Sequence, residues 1–159
     1  MQRIRSALLL AAVSVVTMLA CAAPLSAQDA QGKLWDSAIS GDTVSLLQAL
    51  EAGAKIDSLD VRRNPNGRRP LNWAAWNNRV PVIRILVARG APVNATNLTG
   101  FTPLHHAAES GSMEAALALL AAGADPGRLT GDGELPADVA RRRGFTAIAD
   151  SIDAAARRR

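Results

Sequence analysis

The sequence repeats itself, and the period constrains the fold more than any other feature. Pro70, Pro103 and Pro136 stand 33 residues apart, and Ala74, Ala107 and Ala140 keep the same interval. Asn78, Gly111 and Gly144 follow in the same register. A Gly-Ala pair recurs at Gly53-Ala54, Gly90-Ala91 and Gly123-Ala124, in steps of 37 and 33. The step of 37 also separates Gly41 from Asn78, so an earlier unit precedes the first of these prolines, with four extra residues between the two. A period of roughly 20–50 residues builds a row of stacked units, because one unit cannot bury its apolar face alone.

Each unit reads as a pair of helices. Pro103 sits where a helix begins, a position whose missing N–H costs nothing. Ala107 and Ala108 let neighbouring helices approach closely, and Gly111 ends the segment. The apolar run Ala115 to Leu120 forms the second helix, and Gly123 closes it in a left-handed conformation. Asp125-Pro126-Gly127 and Gly131-Asp132-Gly133 supply turn chemistry for a projecting hairpin. Composition agrees. The 159 residues are 48% hydrophobic but only 3% aromatic, with no Tyr, which suits close-packed Ala- and Leu-rich helices better than a sandwich of strands.

The stretch Gly100-Phe101-Thr102-Pro103-Leu104-His105-His106-Ala107-Ala108, running on to Gly123-Ala124-Asp125, resembles the signature of ankyrin-repeat proteins. The resemblance spans about residues 33–153. It implies an all-α ankyrin-repeat solenoid of about four helix pairs linked by short hairpin loops, with repeats near 33–66, 67–99, 100–132 and 133–153. The second repeat departs from the signature at Arg69-Pro70-Leu71-Asn72, and the fourth reads Leu135-Pro136-Ala137-Asp138, as a terminal cap does. The first lacks the Thr-Pro start, as an N-terminal cap often does. By the same resemblance, His105 ties the turn before its helix to the next repeat.

Residues 1–27 read as a secretory signal. Arg3 and Arg5 precede fourteen uncharged residues, Ala7 to Ala20, a run shorter than the roughly 20 needed to span a bilayer. Cleavage is expected after Ala27, with Ala23 as a second site. Residues 28–159 then form the mature domain, without membrane insertion. Leu19-Ala20-Cys21 resembles a lipoprotein ending, so Cys21 is either a lipidation site or part of the discarded peptide. Export places the protein in a bacterial periplasm. The alternatives are a membrane-anchored lipoprotein and a secreted effector that binds host proteins. The net charge of +4 falls to +2 once Arg3 and Arg5 are removed, which gives no general attraction to nucleic acid or membrane.

Catalytic chemistry has little to draw on. His105 and His106 are adjacent and diverge on a helix, so no metal site is expected. His106 is read as a packing residue. The single Cys excludes an internal disulfide and a cysteine-rich zinc site. No Ser lies on a Gly-x-Ser-x-Gly elbow, and Gly131-Asp132-Gly133 lacks the frame of a phosphate loop. The expectation is therefore a non-catalytic, cofactor-free monomer that binds another protein of the periplasm or envelope.

The tryptophans and arginines carry the binding hypothesis. Trp35 is expected in the N-terminal cap. Trp73 and Trp76, three apart, share one side of a helix. Trp76 either anchors a partner, as exposed Trp often does, or folds back over the neighbouring hairpin. Asp60 to Arg69 holds the four-residue insertion, and Arg62, Arg63, Arg68 and Arg69 flank its turn. That segment is either a solvated hairpin tip or a contact loop for an acidic partner. The family's binding positions, on hairpin tips and the outer ends of first helices, map here to Asn66, Arg68, Trp76 and Asn77. The next repeat adds Leu98, Thr99, Phe101, Glu109 and Ser110, and the last adds Asp132, Glu134, Arg142 and Arg143. Arg157-Arg158-Arg159 reads as a frayed terminus.

Overall fold

Helix starts and stops fall where the repeating Pro, Gly and Asn residues put them. In a computed structural model, described here for residues 26–158, eight helices form and no strand does. They are α1 (Ala27–Ser40), α2 (Thr43–Glu51), α3 (Pro70–Trp76), α4 (Val80–Ala88), α5 (Pro103–Ser110), α6 (Met113–Ala121), α7 (Pro136–Arg142) and α8 (Thr146–Ala156). Pro70, Pro103 and Pro136 each open a first helix. Cys21 and most of the signal segment lie outside the described residues.

The helices stack in two layers. First helices α1, α3, α5 and α7 pack in series, as do second helices α2, α4, α6 and α8. The first helices pack more extensively against their neighbours than the second helices do, as stacked repeats with the first helices on the concave side require. One core runs through every unit, built on Leu34, Leu46, Ile83, Leu86, Leu104, Leu119 and Ile152 with alanines between them. Among the described residues, no helix is long and apolar enough to cross a membrane.

Three kinds of bond fix the register between units. Successive hairpins join backbone to backbone, Leu98 N–H to Asn66 O at 2.9 Å and Gly131 N–H to Thr99 O at 2.9 Å. Gly100 must be glycine at this junction: its φ is +82°, and a Cβ would stand 2.5 Å from the Gly131 nitrogen. His105 forms the second tie. The Thr102 N–H donates to its Nδ1 at 3.2 Å, so Nε2 carries the proton and donates to the Glu134 carbonyl at 3.2 Å. Asn78 makes the third, in the left-handed region at φ 55°. Its side chain accepts from Ala115 N–H at 2.9 Å and donates to Glu114 at 2.6 Å, capping the N-terminus of α6 from the preceding unit. The bond from Asn78 holds the Glu114 carboxyl below its ordinary range.

The first unit is longer than the sequence period implies. Its opening helix starts at Ala27, six residues before the expected boundary, with Ser26 accepting from Asp29 N–H at 3.1 Å. A cut after Ala27 would remove that cap, whereas a cut after Ala23 would keep it.

Candidate interaction surface

The segment from Asp60 to Arg69 sets the character of the concave side. Asp60 is fully buried at the base of its hairpin, which closes by paired backbone bonds between Asp60 and Arg68 of 2.8 and 3.2 Å. Asn97 and Thr130 hold the matching positions in the next two hairpins. Asn97 accepts from Thr99 and Phe101 N–H, and Thr130 from Glu134 N–H. This buried polar row, Asp60, Asn97 and Thr130, follows the 37 and 33 spacing and was legible in the sequence beside the Gly-Ala pairs.

Three of the four arginines in this segment are committed internally. Arg62 binds Asp60 at 2.9 Å, and Arg63 bridges Asp36 at 2.6 Å and Asp60 at 3.2 Å. Burial opposes ionisation of Asp60, but the bonds from Arg62 and Arg63 outweigh it and hold the carboxyl below its usual range. Arg69 spans Asp57, at 2.6 Å, and the carbonyl of Thr96, at 3.0 Å. Asn72 takes the local role His105 has in the next unit, accepting from Arg69 N–H at 3.0 Å.

Arg68 is different. It is only 8% exposed, and among the described residues its side chain has no hydrogen bond. Its guanidinium lies 4.6 Å from the ring centre of Trp73 and 4.1 Å from that of Trp76, a cation–π arrangement. Burial pushes its pKa down, partly offset by Glu109. Arg62 caps Trp35 in the same way at 4.4 Å, while the Trp35 indole donates to Ser58 O at 3.0 Å. Each tryptophan therefore carries an arginine from this one segment.

Trp76 is half-buried, between the two arrangements the sequence left open: Arg68 of the preceding hairpin covers one face, and His106 of the next unit meets its edge at 6.1 Å. Trp73, on the same side of α3, is buried. His106 packs, as anticipated, with Phe101 5.5 Å away. Neither of its ring nitrogens has a hydrogen bond, and Nδ1 stands 3.9 Å from Glu109. Burial, with the positive charge of Arg68 and the neighbouring His105, pushes its pKa down to about 3, so the ring is neutral at ordinary pH.

Asn66, Arg68, Thr99, Phe101 and Glu109 come together around a cavity of about 150 Å³, with Asn64, Asn97 and His106 completing the wall. Other expected positions lie beside it. Asn77 turns back to the Trp73 carbonyl, Ser110 to the His106 carbonyl, and Leu98 projects into solvent. Asp132, Glu134 and Arg142 do not line the cavity. Arg142 is held by Glu134 through two bonds of 2.9 and 3.0 Å, and Arg143 binds Glu109 at 2.5 Å.

A family model of ankyrin repeats, in three copies, matches residues 34–130. The chain belongs to the ankyrin-repeat family. Ankyrin repeats imply a protein–protein interaction module. It is 36% identical over 126 residues to the fruit-fly tyrosine-protein kinase Shark, covering 79% of this chain and 13% of that protein. It is 36% identical over 99 residues to the mouse B-cell lymphoma 3 protein homolog, covering 62% and 21%. The match to mouse protein phosphatase 1 regulatory subunit 27 is 35% over 86 residues, covering 54% and 55%. The ankyrin-repeat chain thus spans from about an eighth to about half of these relatives.

Proposed function

We propose that this ankyrin-repeat chain is a non-catalytic, exported monomer that docks one partner protein along its concave side and hairpin tips. One observation carries the reading. Val61, Leu98 and Leu129 are exposed on three successive hairpins, and Trp76 and Phe101, which both meet His106, are half-buried. Exposed apolar groups in a row, on a frame held by hairpin and helix-cap bonds, offer preorganised contacts that need little further ordering on association. Immobilised protein should retain a partner from envelope extract, and Trp76→Ala should release it. Retention unchanged by that substitution would refute the concave-side reading.

Export rests on the leader, with its basic start and short apolar centre. The relatives named above are animal proteins and lend that part no support. The compartment we propose is a bacterial periplasm, and the partner an envelope or periplasmic protein. A mature mass beginning at Pro24 or Gln28 would exclude the lipidated form. A diacylglyceryl mass on Cys21 would establish it, and recovery from culture medium would favour an effector.

A further inference from the structure

The proposed docking reading leaves open what chemistry the partner presents, and Arg68 answers it. Its three neighbours in the segment have each found a carboxylate, at 2.6 to 2.9 Å. Arg68 has none, although it is more than nine-tenths buried and its Nε has no partner. The guanidinium carbon of Arg68 lies over the rings of Trp73 and Trp76, at 4.6 and 4.1 Å from their centres. Cation–π contact uses none of the guanidinium's N–H donors, and arginine's fork of donors takes a carboxylate through two parallel bonds.

The cavity beside it is polar and small. Asn66, Asn97 and Thr99 line it, and its roughly 150 Å³ lies below the ~300 Å³ at which pockets begin to take drug-sized ligands. That is room for a short acidic side chain. Glu109, the carboxylate in its wall, opposes a second negative charge, but Arg143 already binds it at 2.5 Å. We propose that this cavity receives the carboxylate of an aspartate or glutamate side chain of the partner protein, with Arg68 as the group that recognises it. The inference rests on the concave-side reading above and deepens it.

The test is a titration of the 15N-labelled full chain with N-acetyl-aspartate N-methylamide at constant ionic strength, followed through the Arg68 Nε–H and the amides of Thr99 and Phe101. Saturating shifts are expected, with none from the asparagine analogue. Arg68→Gln should abolish saturation at Thr99 and Phe101. Arg68→Lys, which keeps the charge and most of the stem, should weaken binding several-fold, and Glu109→Gln should tighten it. Equal responses to the aspartate and asparagine compounds would overturn the proposal, whatever the variants do. So would binding of N-acetylglycine, whose carboxylate is terminal, without binding of the aspartate compound. Neither result touches partner capture through Trp76, so the two readings fail separately.

Discussion

His106→Leu should raise stability at neutral pH and flatten its acid dependence. The wild-type ring is 2% exposed, with two nitrogens that no group satisfies. Such atoms cost about 1–3 kcal/mol each when stranded, and an apolar side chain of similar reach removes that cost, so a net gain of about 1–2 kcal/mol is expected after imperfect repacking. The acid limb follows from linkage. The folded pKa is about 3 against an ordinary 6.5, so between these values the unfolded chain binds the extra proton. Stability from this group is complete above pH 6.5 and is lost as pH falls toward 3. The full shift has a ceiling of about 5 kcal/mol, of which about 2–3 is lost by pH 4.5. The carboxyls of Asp42, Asp60 and Glu114, all held below their ordinary values, lose their contributions at lower pH, which leaves the window above 4.5 mainly to histidine. Burial also pushes His105 down, and it remains in the variant, so the slope should shrink rather than vanish. Urea unfolding at pH 7 and pH 4.5 measures this directly. If wild type and variant lose the same stability on acidification, His106 is not sealed between Trp76 and Phe101 as described.

Leu119→Ala should cost about 2–5 kcal/mol, since Leu119 is fully buried in α6 and its cavity would open into the shared core; an unfolding free energy from urea melts within about half a kcal/mol of wild type would contradict that placement. Asn78→Ala should cost about 1–2 kcal/mol by removing the cap on α6 and by placing at positive φ a residue that tolerates it less well than Asn, and Asn78→Gly should recover the backbone share in the same melts. Trp76→Ala should cost about 1–2 kcal/mol, because the ring is half-buried against Arg68 and His106; calorimetry separates this loss from the loss of partner capture.

The stack was legible because its determinants are local. Pro at the start of three of the four first helices, Gly or Asn after the end of each, and Gly-Ala after three of the four second helices each act within a turn of their own position. His105 was readable for the same reason, since its bond to Thr102 spans three residues. The binding side was readable only in part. Asn66, Arg68, Thr99, Phe101 and Glu109 were named and do meet around one cavity, but nothing local distinguishes Arg68 from Arg62, Arg63 and Arg69. Which arginine finds a carboxylate depends on how the four-residue insertion folds over Asp36, Asp57 and Asp60, a non-local outcome. The early start of α1 was hidden too, because Ala27 to Lys33 has no counterpart in the other units.

The central claim is that the concave side and hairpin tips, not the outer helices, meet the partner. Site-specific photocrosslinking in living cells tests it with two matched leucines: Leu98 on a hairpin tip and Leu117 on the outer surface of α6, 64% and 50% exposed. A photoreactive residue at 98 should give one discrete adduct, and the same residue at 117 none. An adduct through 117 alone, or equal adducts through both, would contradict the claim.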